Sequence, residues 1–317
     1  MNPAARGRGL RDEPVNPAIW RGCLARAPGR ITTKATEGLI VMKDFTGRVA
    51  AITGAGSGIG RALARDLAGR GCHLALSDID ELGLADTVEQ CQTKGVTVTS
   101  QRLDVADRAS VHEWADRVVE EHGRVNLIFN NAGVALVATV EAVSYEHFEW
   151  LMNINFWGVV HGTKAFLPHL VESGEGHIIN VSSVFGLISV PSQAAYNSAK
   201  FAVRGFTDAL RMELEIDGAP VSATTVHPGG IKTNIARNAR TDDSAGALAG
   251  ADVAGSFDKV ALTSPEKAAR QILAAVESNR RRALIGPDAK LIDVVSRGPG
   301  AMYQKMVVRG CRTNHES

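Results

Sequence analysis

Short apolar runs of strand length alternate along the chain with longer stretches whose apolar residues recur at helical spacing. The first run, residues 48–53, ends in a glycine cluster, and a helical stretch at 61–69 follows it. The alternation continues with predicted strands at 73–77, 96–103, 125–130, 177–182 and 221–227, and with predicted helices at about 81–93, 108–122, 144–172 and 194–216. A helix at 265–276 and a short strand at 283–285 end the pattern.

These strands are apolar nearly throughout, and helices of ten or more residues separate them. That pattern is typical of parallel strands that are buried on both faces of a sheet. Because crossover connections are right-handed, the sequence predicts an α/β fold: a single-domain, Rossmann-like, doubly wound parallel sheet of about seven strands with helices on both faces. A chain of 317 residues, of which 44% are apolar, is long enough to bury the core of such a domain.

The two ends of the chain differ from this domain in charge. Residues 1–43 and 280–317 each carry a net charge of +5, whereas the whole chain carries +1, so the part between them carries −9. We therefore expect a disordered basic extension at 1–43, the folded domain at 44–287 and a basic tail at 288–317. Met42 is an alternative candidate for the start of translation.

The overall charge and the cysteine pattern argue against several classes of protein. A net charge near zero gives no indication of a nucleic-acid partner. The four cysteines are scattered, without a CxxC pair or a histidine at ligand spacing, which argues against a disulfide framework and a metal site and favours a cytoplasmic location. We find no apolar run of transmembrane length, and the N-terminus lacks the pattern of a secretory signal.

A glycine-rich turn follows the first predicted strand and leads into the first predicted helix. The segment reads TGAGSGIG from residue 53 to 60. Glycines allow a close approach of the backbone, and the N–H groups and dipole at a helix N-terminus favour a negative charge. The turn therefore predicts a site for the pyrophosphate of a dinucleotide. Its spacing differs from GxGxxG, and many strand–helix turns contain glycines without binding a ligand.

Asp78 strengthens the dinucleotide prediction and indicates which cofactor is preferred. It ends the second predicted strand, eighteen residues after Gly60, where a carboxylate can accept hydrogen bonds from the adenosine ribose. The same carboxylate would repel a 2′-phosphate, and the next two residues, Ile79 and Asp80, supply no cation. The sequence thus favours NAD, with NADP less expected. Arg61 is the one nearby cation that could offset the preference, although it could equally serve the helix start.

Tyr196 and Lys200 lie four residues apart at the start of an apolar-striped helix, in the segment YNSAK. A spacing of four places both side chains on one helix face. Lowering the pKa of a tyrosine from about 10 to about 7 requires roughly 4 kcal/mol of preferential stabilisation of the phenolate. A neighbouring ammonium and the positive ring of an oxidised nicotinamide can provide it, and the tyrosine then becomes a general acid and base. On its own, a YxxxK segment is common by chance.

Ser183 and Asn155 are further polar candidates. Ser183 follows the predicted strand 177–182, and the carboxyl end of a strand is where an open α/β sheet places its ligand. Its hydroxyl can donate to a substrate oxygen. Asn155 lies among apolar residues of a predicted helix, either as a satisfied core amide or as part of a water site that links Lys200 to solvent.

Taken together, these segments resemble the classical short-chain dehydrogenase/reductase family. The matching features occur in one order over about residues 44–287: TGAGSGIG, Asp78, the pair 104–105, NNAG at 130–133, Asn155, Ser183, YNSAK and HPGGIKT at 227–233. The resemblance implies an oxidoreductase that acts on CH–OH groups with NAD. The two basic ends depart from the short form of the family.

The resemblance also implies a role for each matching position. Asn155, Ser183, Tyr196 and Lys200 would form a catalytic tetrad. The residues that would contact the cofactor belong to the same motifs: Gly54, Ser57, Gly58, Ile59, Gly60, Asp78, Asp104, Val105, Asn131, Ala132, Gly133, Tyr196, Lys200, Ile231 and Thr233. Of these, Asp104 and Val105 would hold the adenine, and Ile231 would offer backbone groups to the carboxamide. Family members usually form homotetramers or homodimers through the helices at 144–172 and 194–216.

The expected substrate is a small-molecule secondary alcohol or ketone. Residues 184–187 and 190–193, together with the weakly patterned segment 234–262, which we expect to be a disordered loop or a lid, would surround it. These segments are mostly apolar, which favours an uncharged, apolar substrate. Two alternatives stay open: a catalytically silent cofactor-binding regulator on the same fold, and a lyase or epimerase that uses the cofactor transiently. The basic tail is either solvated, packed on a partner or laid on a membrane surface.

Overall fold

A computed structural model describes residues 42–241, 261–297 and 302–313. The strands are β1 Val49–Thr53, β2 His73–Asp78, β3 Val98–Arg102, β4 Leu127–Asn130, β5 Leu136–Val137, β6 Gly176–Val181, β7 Val221–Pro228, β8 Arg240–Thr241 and β9 Arg282–Ile285. The helices are α1 Gly58–Gly69, α2 Glu81–Gln92, α3 Arg108–His122, α4 Tyr145–Met152, α5 Gly158–Glu172, α6 Ala194–Ile216, α7 Pro265–Glu277, α8 Pro287–Arg297 and α9 Met302–Thr313. The expected N-terminal extension before residue 42 lies outside the described residues, as do residues 242–260 of the segment 234–262 that we expected to be a disordered loop or a lid.

Seven of the strands form one parallel sheet in the order β3-β2-β1-β4-β6-β7-β9. The predicted doubly wound sheet of about seven strands is therefore confirmed. The direction of winding reverses between β1 and β4, and ligands of open α/β sheets bind beyond the carboxyl ends of the strands at such a point. Both the glycine turn after β1 and the NNAG segment after β4 lie there.

Helices cover both faces of the sheet and bury two apolar layers. On one face, α1 and α7 contribute Leu63, Leu67, Ile272 and Leu273. On the other, α3, α5 and α6 contribute residues that include Trp114 and Phe166, whose rings meet edge to face at 5.1 Å. The polar residues of the site lie at the carboxyl ends of the strands. Packing of the sheet between these two layers therefore fixes their positions.

The structure differs from the sequence prediction in two helical regions. The helix expected at 144–172 is interrupted by one π-helical turn, Asn153–Trp157, between α4 and α5. The tail expected after residue 288 is helical in its described part, as α8 and α9. Proline at the first position of α8 suits a helix start, and Ile292 and Val295 are half-buried.

His177 is a buried histidine in β6 that the fold keeps neutral. Its Nε2 lies 2.8 Å from Thr224 Oγ1, and the Thr224 hydroxyl donates to the carbonyl of Arg280 at 2.6 Å. Because that hydroxyl has one proton, its oxygen accepts from His177 Nε2–H, which leaves Nδ1 unprotonated in the neutral ring. Burial lowers the pKa of His177 to about 3.

We expect His177 to make the protein sensitive to acid. Below pH 6.5 the unfolded chain binds a proton on this imidazole, whereas the folded chain does not until about pH 3, so the free energy of unfolding falls as pH decreases through that window. At pH 4.5 the loss from this residue is about 3 kcal/mol. Urea unfolding of His177→Gln at pH 7 and pH 4.5 should show a pH-dependent loss smaller than wild type by that amount. The exposed His112→Gln is the matched control; an unchanged pH dependence in His177→Gln would contradict the assignment.

Candidate active site

The turn between β1 and α1 requires glycine for close packing of backbone on backbone. Gly54 has a φ of +67°, and a Cβ on it would lie 2.8 Å from Ala132 Cα. A Cβ on Gly60 would collide with the carbonyl oxygen of Gly54. The Ser57 side chain does not cap α1, and the first turn of α1 contains no acidic residue. The N–H groups at this helix start are thus positioned for an anion such as a pyrophosphate.

Asp78 holds the glycine turn from the end of β2. Its Oδ2 accepts a hydrogen bond from Gly56 N at 2.7 Å, and its Oδ1 accepts from Asp80 N at 2.9 Å. A Cβ on Gly56 would lie 2.9 Å from Oδ2, so glycine is needed for this contact. Asp104 and Val105 follow β3, the next strand of the sheet, and therefore lie at the same edge.

Arg61 is fully occupied by structural partners. Its guanidinium donates to the carbonyl oxygens of Gly56 and Gly83 and to Thr87 Oγ1, and it forms an ion pair with Asp86 at 2.6 Å. The arginine therefore serves the glycine turn and α2. It is not a free cation for a 2′-phosphate.

The NNAG segment after β4 is joined to the glycine turn by hydrogen bonds. Asn131 Nδ2 donates to the carbonyls of Thr53 and Gly54 at 2.9 and 3.2 Å. Thr53 Oγ1 accepts from the backbone N–H groups of Asn131 and Ala132, both at 3.0 Å. Thr53 was not predicted as a site residue, because a threonine at the end of a strand is not by itself a recognisable sequence motif.

Ile231 and Thr233 follow β7 and border the site next to the start of α1. Ile231 is buried and bridges to Thr263, and the Thr233 methyl group lies 3.1 Å from the position of a Cβ on Gly58. Ile59 packs against the core layer beneath the turn. The predicted cofactor residues of the first, second, fourth and seventh strands therefore surround one crevice.

Ser183, Tyr196 and Lys200 meet at the end of β6 and the start of α6. The side chain of Ser183 lies next to the Tyr196 hydroxyl and favours its ionised form. Lys200 Nζ lies 5.5 Å from the centroid of the Tyr196 ring and donates to the carbonyl of Val181 at 3.0 Å. The neighbouring Ser182 does not share this position, because its hydroxyl donates to the carbonyl of Lys200 at 2.7 Å.

Asn155 lies in the π-helical turn and is fully buried. Its Oδ1 accepts from Val134 N and its Nδ2 donates to the Val134 carbonyl, each at 2.8 Å. A Cβ on Gly133 would lie 3.2 Å from Asn155 Oδ1 and 3.6 Å from Lys200 Nζ, so both groups border the same point. The extra residue of a π turn changes the direction of a helix face, and such turns are frequent at functional sites.

Burial shifts the pKa values of the two central groups in opposite directions. It raises the pKa of Tyr196 to about 12, partly offset by the nearby Ser183 side chain, and it lowers the pKa of Lys200 to about 8. Both shifts disfavour charge, as desolvation does. The pKa of Tyr196 is thus further above 7 than the value of about 10 for a free tyrosine. Formation of the phenolate therefore depends more strongly on the Lys200 ammonium beside it.

His227 holds the backbone of Ser183 from the neighbouring strand β7. It is the penultimate residue of β7 and is fully buried, and its Nδ1 lies 2.8 Å from the carbonyl oxygen of Ser183. Burial lowers the pKa of His227 to about 4, so the ring is neutral at pH 7 and donates through Nδ1–H. The sequence placed His227 in a motif without a role, since the contact crosses 44 residues of chain.

Segments on two sides border the expected substrate position. The Tyr303 hydroxyl of α9 accepts a hydrogen bond from Ser189 N at 3.1 Å, and α8 contacts the short helical turn Val184–Gly186. On the other side, the guanidinium carbon of Arg240 lies 3.7 Å from the ring centroid of Trp150, and β8 pairs with β5. The C-terminal helices are therefore part of the surroundings of the site.

Within residues 42–241, 261–297 and 302–313, we find no group of three or more His, Cys, Asp or Glu side chains placed to hold a metal ion. In the same ranges, no helix is both long and apolar enough to cross a bilayer. Cys72 and Cys91 are buried free thiols whose pKa values burial raises to about 12 and about 11.

Comparison with known proteins agrees with this site. Residues 48–244 match the family described as short chain dehydrogenase. The chain is therefore a member of the short-chain dehydrogenase/reductase family, an oxidoreductase of a family that binds nicotinamide cofactors. The Mycobacterium tuberculosis protein SadH, which is named as an oxidoreductase, is 51% identical over 85% of this chain and 97% of its own length.

Among solved structures of similar proteins, one contains NAD and another contains a derivative of NADP. A short-chain dehydrogenase/reductase from Burkholderia phymatum in complex with NAD is 32% identical, with a TM-score of 0.73 over 80% of this chain and 94% of that one. An alcohol dehydrogenase from Thermococcus sibiricus complexed with 5-hydroxy-NADP is 33% identical, with a TM-score of 0.56 over 61% of this chain and 80% of that one. The choice between NAD and NADP must therefore be argued from this chain's own residues.

Proposed function

We propose that the protein transfers a hydride between NAD and an uncharged, apolar secondary alcohol or ketone, with Tyr196 as general acid and base. One observation carries the proposal. The Tyr196 hydroxyl lies next to the Ser183 side chain, with Lys200 Nζ 5.5 Å from the centroid of its ring, at the same carboxyl edge of the sheet as the glycine turn of a dinucleotide crevice. Apolar or small residues of the turn after Ser183, such as Val184 and Leu187, support the substrate class.

Each residue of the tetrad has a distinct task in this proposal. When bound, NAD would supply the hydride acceptor for oxidation of the alcohol carbon, and NADH would supply the hydride for the reverse reaction. Ser183 donates a hydrogen bond to the substrate oxygen and so fixes it next to the phenol. Tyr196 removes the hydroxyl proton during oxidation and returns it during reduction. The Lys200 ammonium stabilises the phenolate, and Asn155 ties its helix to Val134 beside Lys200, where a water would connect Lys200 to solvent.

In the same proposal, each part of the cofactor is bound by a different group of crevice residues. The N–H groups at the start of α1 hold the pyrophosphate, Asp78 accepts from the adenosine ribose, and Asp104 and Val105 border the adenine. Ile231 and Thr233 hold the nicotinamide end. This division is supported by the space that the glycines leave and by the common edge at which these residues lie.

The preference for NAD follows from the charges around Asp78. The Asp78 carboxylate would face a 2′-phosphate, Asp80 adds a second negative charge next to it, and the cation Arg61 is already paired. Like charges brought together in a binding site cost several kcal/mol. We therefore expect NAD to be used at least tenfold better than NADP.

Replacing Asp78 with Ser should shift this preference. Removal of the carboxylate removes the repulsion of the 2′-phosphate and one acceptor for the ribose, so the ratio of kcat/KM for NAD over NADP should fall at least tenfold. Initial rates with a panel of secondary alcohols, measured with NAD and NADP side by side, test both the activity and the preference.

Asp107→Asn is the matched control for that substitution, because it removes a carboxylate that caps α3 outside the crevice. A wild-type protein that reduces neither cofactor with any alcohol, and oxidises neither with any ketone, would contradict the proposed function. An unchanged cofactor ratio in Asp78→Ser would contradict the basis of the preference alone.

We also propose that the protein acts as a homodimer or homotetramer that packs through α5 and α6. Exposed apolar side chains on and next to these helices support this: Trp157, Val171, Phe201, Met212 and Ile216. Patches of this kind are typical of protein–protein contacts. The molecular mass in solution, measured by sedimentation equilibrium, distinguishes one, two and four chains.

A further inference from the structure

The turn after β7 is held by a carboxylate from the C-terminal helix α8. Asp288, the second residue of α8, accepts a hydrogen bond from Gly230 N through Oδ2 at 2.6 Å. Hydrogen bonds to an ionised acceptor are shorter and stronger than those between neutral groups. The other oxygen, Oδ1, is buried and has no hydrogen-bond partner within the described residues, so the carboxylate acts on the turn through Oδ2.

Glycines on both sides make room for this carboxylate. A Cβ on Gly229 would overlap both carboxylate oxygens of Asp288. Gly286 has a φ of +97°, and a Cβ on it would lie 2.5 Å from Asp288 Oδ1. The side chain is therefore enclosed by the backbone of two turns, one after β7 and one after β9. Any larger residue at either glycine would displace it.

The turn that Asp288 holds leads directly into the nicotinamide side of the crevice. Gly229 N donates to the carbonyl of Ile285 at 3.0 Å, and Lys232 N donates to the carbonyl of Thr263 at 2.9 Å. Between these two backbone contacts, Gly230 N is bound by the Asp288 side chain. Ile231 follows immediately, so the hydrogen bond to Asp288 fixes its backbone together with the one from Thr263 N to the Gly230 carbonyl at 3.3 Å.

We infer that Asp288 is a positioning residue that fixes the Gly229–Gly230 turn, and with it the groups that receive the nicotinamide half of the cofactor. This inference rests on the proposed function. Asp288 lies 44 residues beyond the segment that matches the family, so the C-terminal helix completes a site that the matched segment begins. Without the carboxylate, the turn has more conformations, and binding of the nicotinamide must order it.

Binding measurements with two ligands separate this role from a general structural one. NADH contains the nicotinamide, whereas ADP-ribose contains only the adenosine and pyrophosphate part. By isothermal titration calorimetry, Asp288→Ala should weaken NADH binding about tenfold and leave ADP-ribose within about twofold of wild type. Asp288→Asn, which retains an acceptor oxygen but no charge, should weaken NADH by only about threefold. KM for NAD should rise in the same order, with a smaller change in kcat.

Asp293→Asn is the matched control, since this aspartate lies on the same helix and is paired with Arg297 at 3.0 Å. Equal weakening of NADH and ADP-ribose in Asp288→Ala, or no weakening of NADH, overturns the inference while the proposed function stands. Failure of the wild-type protein to bind NADH removes the proposed function itself.

Gly229→Ala tests the contact from the other side if Asp288→Ala does not fold. The added methyl group would displace the carboxylate without removing it, and the same selective loss of NADH affinity is expected. NADH affinity within twofold of wild type in this variant would also overturn the inference.

Discussion

Replacement of Tyr196 with Phe is expected to lower kcat by about three orders of magnitude and to change NADH affinity by less than about threefold. The substitution removes only the hydroxyl that lies next to the Ser183 side chain. A positioned general acid or base contributes about 10²–10⁴ to the rate. The ring itself stays packed edge to face against Phe185, at 6.2 Å between centroids, so the crevice should keep its shape. Steady-state rates and NADH titration measure the two quantities.

Tyr145→Phe provides the control for Tyr196→Phe. This tyrosine is 89% exposed at the start of α4, so its loss should leave kcat unchanged. A Tyr196→Phe protein with wild-type kcat would contradict the proposed mechanism. If the biological effect of the protein also survived the substitution, a catalytically silent regulator would be favoured. Reaction without net formation of NADH would instead favour a lyase or epimerase.

Much of the fold and several site positions could be predicted because their signals are local. A buried parallel strand followed by a helix has an apolar pattern that a short window reveals, and the bounds predicted for the helices at 108–122 and 194–216 agree with α3 and α6. The glycine turn is also local, since Gly54 and Gly60 must contact backbone nearby. The spacing of Tyr196 and Lys200 follows from one helix.

The contacts that the sequence did not reveal all join distant parts of the chain. Thr53 meets Asn131 across 78 residues, and Asp288 meets Gly230 across 58. A single aspartate or threonine gives no sequence pattern from which such a distant partner could be predicted. The helices α8 and α9 were overlooked because each is short and only partly buried, so the periodic signal spans few residues. The π turn at Asn155 differs from an α-helix by one residue, which periodicity does not resolve.

Replacement of Lys200 with Met should lower kcat/KM at pH 7.5 by about 10² or more and change the pH dependence of the reaction. Burial raises the pKa of Tyr196 to about 12, and the Lys200 ammonium is the cation closest to its ring, at 5.5 Å, among the contacts described. Without that charge the phenolate forms at still higher pH, so the remaining oxidation rate should keep rising with pH up to 10. A pH–rate profile from pH 6 to 10 measures this shift.

In the wild-type protein, loss of the charge on Lys200 limits the oxidation rate at high pH. Burial lowers the pKa of Lys200 to about 8, so the ammonium that stabilises the phenolate is present below that pH and is lost as pH rises through it. Wild-type oxidation should therefore level off near pH 8, whereas Lys200→Met should not. The exposed Lys164→Met on α5 serves as the control and should follow the wild-type profile. If Lys200→Met lowered only the affinity for NADH and kept the wild-type pH profile, Lys200 would bind the cofactor without tuning Tyr196, and the electrostatic part of the mechanism would be wrong.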